Sequence, residues 1–376
     1  MGVPDITPLS FEINPYIRPL ATPKGDTRFL NLQEMLGPAD AHGFGVLAAN
    51  AVTPEMVNAV LDAAWVLDSP VILEPAESQV GYALPGAQYA DKLERYMDLV
   101  ETVVGDCVKA TGRVVPVCLH LDHLQKDQAL AYAARDAGFT SVELDFSKQP
   151  TGDRMEAVRL NIAKCAGIIP ELHRYGMSVE VEEGEIGDAK IREAQSEAQI
   201  RAEVTKPEYA VALVRGTNPE AIAIFYGGGH GEFKTKPVLV YDAIADVRSG
   251  LREAGVDVPV VLHGGTGQTQ EGFRTAVRNG ARKFNYASRF FTLMENHING
   301  TEAGSAIMQE MATAAEGAGK KGPRYVWSDF EPRLREEVGP DVFRAAQREM
   351  YEHTLWLMKD ALGSEGMAQH YKMAFM

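Results

Sequence analysis

The sequence predicts an α/β protein, a (β/α)8 TIM barrel over residues 1–300 with a C-terminal helical extension over 301–376. Three observations carry that prediction. Eight short apolar runs recur along the chain, each followed by a helical pattern or a loop leading to one, as parallel strands joined by crossover helices require. The runs that lead to His123, His230 and His263 are apolar without alternation, which is how a strand covered on both faces reads. Polar residues with chemical capability collect where the runs end, and in a barrel those ends converge on one mouth. A doubly wound sheet is the alternative, but eight units with chemistry dispersed over many strand ends favour the barrel.

The elements follow in order. GFGVLAAN (43–50) is the first strand, and TPEMVNAVLDAAWVLD (53–68) its helix, with Thr53 as N-cap and Pro54 at the first helical position. SPVILEP (69–75) is the second strand, and the amphipathic segment 91–112 a long helix stopped by Gly112. VVPVCLHLDH (114–123) is the third strand, with its helix over 125–138. SVELDFS (141–147), MSVEVEEG (177–184), AIAIFYGGG (221–229), VPVVLHGG (258–265) and ARKFNYAS (281–288) complete the eight. In the extension, GAGKKGP (317–323) reads as a loop. Residues 339–363 form a long helix with Val342, Ala346, Met350 and Leu357 on one stripe, suited to the barrel's outside or to a subunit interface.

Composition bounds the function. With 45% hydrophobic and 24% charged residues the chain can bury a large core. A net charge of −15, spread along the chain, argues against nucleic acid or an anionic membrane surface as partner. The three cysteines, Cys107, Cys118 and Cys165, form no CxxC pair and read as reduced core residues of a cytoplasmic protein. No signal peptide or membrane-spanning run is expected.

His123, His230 and His263 each sit at the end of a strand, and three imidazoles at equivalent ends make a zinc-type site with an open position. His120 either supports such a ligand or substitutes for one. Asp122, beside His123, either orients a histidine or acts as general acid/base, and the second reading is preferred. Charged residues inside a buried strand are expensive unless paired or metal-bound. Asp145 and Glu182 are therefore candidates for a second cation or a hydrogen-bonded network, and Glu143 and Glu180 for internal ion pairs. GGGHG (227–231) and HGGTG (263–267) offer backbone amides to an anion, with Lys234, Thr266, Asn285 and Ser288 nearby.

In this order, LHLDH, EVEEGEIG, GGGHGEFK, LHGGTG and KFNYAS resemble the class II, metal-dependent fructose-bisphosphate aldolase family, as does GFGVLAAN with its Asn50. The resemblance spans residues 40–290. It implies a homodimeric or homotetrameric lyase of carbohydrate metabolism, as in glycolysis, that cleaves a ketose phosphate to dihydroxyacetone phosphate and an aldehyde. It implies zinc or another divalent metal on His123, His230 and His263, with Asp145 and Glu182 holding the metal in an inward position. Asp122 matches the acid/base for the C4 hydroxyl. Asn50, Gly231, Lys234, Gly264, Gly265, Thr266, Asn285 and Ser288 match substrate and phosphate positions, with an associated monovalent cation. Arg289, Arg333 and Arg335 are candidates for a second phosphate, the latter two in EPRLR (331–335), which resembles the family's phosphate-binding arginine segment from a neighbouring subunit.

The sequence also departs from the family. Ala76 stands where a serine is usual, Ala287 where an aspartate is usual, and the loop after the fifth strand lacks GGxED. The proton-transfer glutamate is therefore assigned to Glu193 or Glu197, with Glu185 behind them. Three alternatives remain. A metal-dependent hydrolase calls for an HxH pair that the first strand lacks. A Schiff-base aldolase calls for a desolvated lysine, for which Lys148 and Lys283 stand near strand ends. A non-catalytic, aldolase-like subunit is hard to reconcile with all three histidines and Asp122.

Overall fold

A computed structural model describes residues 16, 18–20, 27–125 and 128–371. Eight parallel strands close on themselves in sequence order. They are β1 (Val46–Ala49), β2 (Val71–Leu73), β3 (Val117–Leu124), β4 (Ser141–Leu144), β5 (Ser178–Glu183), β6 (Ala221–Ile224), β7 (Val260–Leu262) and β8 (Ala281–Tyr286). Helices between the strands sheathe the outside, so the protein is a (β/α)8 barrel. Thr53 caps the helix Pro54–Leu67 by accepting from the Met56 amide, with Pro54 first in the helix. The helix after β3 begins at Ala129; positions 126 and 127 of the expected segment lie outside the described residues.

One element escapes the sequence pattern. A helix at Leu32–His42 precedes β1, and its buried residues Leu32, Met35, Leu36 and Ala39 pack on Val46, Ala48, Ile72, Cys118, Ala221, Ala223 and Val261. Those strand residues are small or apolar and fill the lower barrel, so the helix plugs the N-terminal end. Asn31 caps it and ties it to the barrel by donating to the Gly176 carbonyl at 3.1 Å. Above this apolar layer the barrel interior turns ionic. Glu74, His120, Glu143, Glu180 and Lys283 are fully buried there, each exposed by 0%.

After β8, helices Ser288–Asn299, Glu302–Gly317, Trp327–Val338 and Pro340–Trp356 follow. The last packs on Pro54–Leu67 and Ser288–Asn299, burying Phe343, Ala346, Met350 and Thr354 on the barrel's flank. Between the second and third of these helices, Gly322–Tyr325 dips into the cavity at the strands' C-terminal ends. No helix among the described residues is long and apolar enough to cross a membrane.

Candidate active site

The mouth holds a cavity of about 830 Å³, in the usual size range for a small-molecule site. Strand alternation places His120 and Asp122 on one face of β3, which would send His123 elsewhere. The chain resolves this locally. The β3–β4 register shifts between Leu121 and Leu124, and His123 takes a left-handed φ of 52°. Both Asp122 and His123 thereby line the cavity. The strained turn is held by the His123 amide donating to Glu143 Oε2 at 2.8 Å.

His230 arrives from the loop after β6. Its backbone is clamped by the loop after β5, through the His230 amide to the Gly187 carbonyl and the Ala189 amide to the His230 carbonyl, both 2.8 Å. His263 follows β7 directly. The three rings have centroids 4.6, 4.7 and 6.1 Å apart, and His263 Nδ1 is 3.0 Å from His123 Nε2. One ring nitrogen from each lies within 4.8 Å of the others, close enough to share one ion. Three imidazole donors opening onto a cavity fit a divalent metal with a free position. Asp145 and Glu182 form a second such group with His123. Glu182 Oε2 is buried without a hydrogen-bond partner, an orphaned acceptor of the kind a cation would satisfy.

Asp122 is 2% exposed and its carboxylate is fixed from both sides. Asn50 Nδ2 donates to Oδ2 and Asn285 Nδ2 to Oδ1, each at 3.0 Å. Burial alone would raise its pKa, but the His123, His263 and Lys283 charges win and hold it below the carboxylate range. His123 is pushed up to about 10: burial opposes its charge, and the Asp122, Asp145 and Glu182 carboxylates overcome it. Burial pushes Glu74, Glu143 and Glu182 well up, whereas Asp145 is held down against burial by His123, Gln125 and Ser147.

Beneath the site, Lys283 Nζ joins Glu74 Oε2 at 2.8 Å and Glu180 Oε2 at 3.0 Å, and donates to Asn285 Oδ1 at 2.8 Å. These partners overcome burial and raise its pKa, so Lys283 stays an ammonium. That removes it as a Schiff-base nucleophile, which must be neutral. Lys148 is exposed and paired with Glu185 at 3.1 Å. His120 bonds Ser141 Oγ at 2.8 Å, and burial, with the Lys283 charge, lowers it to about 3; it is a neutral structural group below the three-histidine cluster.

The cavity wall includes Asn50, Gly231, Gly264, Gly265, Thr266, Asn285 and Ser288. Gly264, at φ 76°, must be glycine: a Cβ there would come within 2.7 Å of the Gly229 backbone, so the two glycine loops pack on each other as they line the cavity. Other expected residues lie elsewhere. Lys234 is exposed and Arg289 half-buried, and neither lines the cavity. Arg335 is taken up by Glu55 and Glu331 and stacks on Phe343, and Arg333 by Glu310 and Glu337. Glu193 accepts from the Thr235 amide and hydroxyl, and Glu197 pairs with Arg201 one helical turn on. Neither glutamate lines the cavity, whereas Glu185 and Asp188 of the same loop do.

Sequence reasoning missed several wall residues. Gln125 donates to Asp145, and Ser147 bridges Asp145 and Glu182 by hydrogen bonds of 2.7 and 2.8 Å. Gln79 accepts from Asn50 at 3.3 Å. Lys321 comes from the segment read as a loop (317–323) and Arg324 directly follows it; the basic run KKGPR was the available signal.

A barrel with a three-histidine cluster and a clamped aspartate at its mouth defines a class of metal-dependent barrel enzymes. Comparison with known proteins narrows the class. Residues 30–366 match the family described as fructose-bisphosphate aldolase class-II, and the chain belongs to that family. It is an aldolase, an aldehyde-lyase of a family that is characteristically zinc-dependent. A probable fructose-bisphosphate aldolase of Bacillus subtilis is 31% identical over 278 residues, 73% of this chain and 84% of the relative. A fructose-bisphosphate aldolase of Staphylococcus aureus is 30% identical over 256 residues, 68% and 80% of the respective chains. The fold is shared with the crystal structure of the YdjI aldolase of Escherichia coli K12, with a TM-score of 0.63, 22% identity and 90% and 99% of the two chains covered. It is also shared with a fructose-bisphosphate aldolase of Campylobacter jejuni, at TM-score 0.61, 20% identity and 89% and 95% coverage.

Proposed function

We propose that the protein reversibly cleaves a ketose phosphate, fructose 1,6-bisphosphate or a related ketose 1-phosphate, to dihydroxyacetone phosphate and an aldehyde. The observation that carries this reading is Asp122, fixed by Asn50 and Asn285 beside three converging imidazoles. His123, His230 and His263 would hold zinc or another divalent ion, with Asp145 and Glu182 as an inward alternative. Bound there, such an ion supplies Lewis acidity toward a ketose carbonyl.

The residues of the chain do the rest. Asp122, kept ionised, takes the C4 hydroxyl proton as the C3–C4 bond breaks and C4 becomes the aldehyde carbon. The bonding electron pair stays with the three-carbon donor half. Glu185, on the cavity wall, returns a proton to its C3. The amides around Gly231, Gly264 and Gly265, with Thr266 and Ser288, suit the donor phosphate, accompanied by a monovalent cation, and orient the substrate through a group remote from the reacting bond. The family supports a homodimer or homotetramer. The three buried, unbridged cysteines support a reducing, cytoplasmic setting.

A cleavage assay on the zinc-loaded and chelator-treated protein tests the reading. Activity disappears with the chelator and returns with zinc. His230→Ala and His263→Ala lose both the metal and turnover. A metal-free preparation with full activity would refute it.

A further inference from the structure

The side of the cavity that continues outward from Asp122 is where the acceptor half of a cleaved ketose must lie. Asn50 links Asp122 to Gln79 through hydrogen bonds of 3.0 and 3.3 Å. Gln79 is followed by Tyr82, whose ring lies 4.8 Å from that of Tyr325 and 6.3 Å from that of Phe291. Arg324 lies over Phe291, 5.1 Å from the ring centre. This guanidinium is where a phosphate on the acceptor would be expected to bind, because its planar fork matches phosphate geometry.

The Nε/Nη2 edge of that fork is already filled. Glu295 accepts from Arg324 Nε at 3.0 Å and from Nη2 at 2.7 Å, a bidentate pair with side chains only 24% and 14% exposed. Glu232 adds a further carboxylate to the cavity lining, and Ala76, after β2, contributes no hydroxyl. Lys321, three residues from Arg324, is 3.5 Å from Asp188. A phosphate approaching Arg324 would have to displace a carboxylate already seated in ideal geometry, and would meet its repulsion. The remaining wall, aromatic rings with the amide of Gln79 and the hydroxyl of Thr292, suits the mixed C–H and O–H surface of a polyhydroxy aldehyde.

Building on the aldolase reading above, we propose that Glu295 is a specificity determinant. By occupying Arg324 it excludes a second phosphate, so the acceptor is an uncharged hydroxyaldehyde and the preferred ketose carries one phosphate. The test measures kcat/KM on fructose 1-phosphate and fructose 1,6-bisphosphate for the zinc-loaded wild type, Glu295→Gln and the double variant Glu295→Gln with Arg324→Gln. Glu295→Gln shifts the bisphosphate-to-monophosphate ratio upward by roughly ten- to a hundredfold, the worth of freed hydrogen bonds to a charged group, and the double variant loses that shift. Arg324→Gln alone lowers bisphosphate use by less than about threefold, because the guanidinium is engaged already.

An unchanged ratio in Glu295→Gln, a large selective loss of bisphosphate use in Arg324→Gln, or a wild type preferring the bisphosphate by orders of magnitude would each overturn the proposal. Failure of the zinc-loaded wild type on both ketose phosphates would instead count against the substrate class. Calorimetric binding of fructose 1,6-bisphosphate then still decides the role of Glu295: tighter in Glu295→Gln and reversed in the double variant supports it, and equal affinity in all three refutes it.

Discussion

Lys283→Met separates a structural lysine from a chemical one. The ammonium is fully buried between Glu74 and Glu180, at 2.8 and 3.0 Å. Removing one partner of a buried pair leaves uncompensated charge and costs about 3–5 kcal/mol. A second route gives the same size. Glu180 is held down to about 2, against burial, chiefly by Lys283. Holding a carboxylate that far below its ordinary value of ~4.3 is worth about 3 kcal/mol at neutral pH. In the wild type this contribution is present above the unfolded-state pKa and is lost as pH falls toward 2. In Lys283→Met the sign reverses. Glu180 loses the neighbour that lowers it and burial pushes it above its unfolded value, while Glu74, already raised by burial with Lys283 present, rises further. The deficit is then small below the unfolded pKa and grows as pH rises. Urea unfolding at pH 5 and pH 8 measures it, with the gap between wild type and variant wider at pH 8. Adding Glu180→Gln recovers part of the loss. A variant within about 1 kcal/mol of wild type at both pH values would refute the argument. Borohydride trapping of wild type with substrate would restore the Schiff-base alternative.

Two further outcomes follow from the site. Asp122→Ala lowers turnover by roughly 10²–10⁴, the usual worth of a positioned acid/base, with zinc content unchanged; loss of zinc would show that Asp122 serves to orient a ligand instead. Glu185→Gln slows exchange of the hydroxymethyl proton of dihydroxyacetone phosphate (ketose C3) with solvent by at least about tenfold, followed by NMR, whereas Glu193→Gln, whose carboxylate is occupied by Thr235, changes it less than about threefold. The opposite ranking would return the proton-transfer role to Glu193.

The barrel was legible because its strands are buried on both faces and its helices carry their own caps, as at Thr53 and Pro54. The helix that plugs the barrel was not, because Gly37 and Pro38 interrupt its pattern and its apolar residues serve the barrel floor rather than a helical layer. The histidine ends could be read from position, yet alternation alone misdirects His123. A register shift and one left-handed residue correct its aim, and neither leaves a residue-type signal. Glu193 looked available because a loop acid carries no mark of its partner. Its occupation by Thr235, more than forty positions away in the chain, is purely tertiary. GAGKKGP (317–323) reads only as a loop, since nothing local in it shows that Tyr82, Phe291 and Glu295 wait to receive the Arg324 and Tyr325 that follow.

The division between what could and could not be read follows a physical division in the molecule. The groups that set the acid/base geometry lie on strands, between an apolar floor and the mouth. Lys283 donates to Asn285 Oδ1, which forces the Asn285 amide nitrogen toward Asp122. Orientation thus passes from a buried ion pair to the carboxylate through one side chain, in surroundings where water cannot compete and each bond is strengthened by low polarity. An exposed loop at the rim could not supply this; Asn50, just past β1, contributes because it too is buried. The reverse holds at the acceptor end. Arg324 and Glu295 sit beyond the strands, on the segment and helix that follow β8, where a change in one side chain leaves the ladder inside the barrel untouched. The orientation of Asp122 is therefore fixed largely by strand residues whose pattern the fold dictates. The choice of aldehyde rests on residues that the fold merely brings within reach, so it can change without disturbing the chemistry.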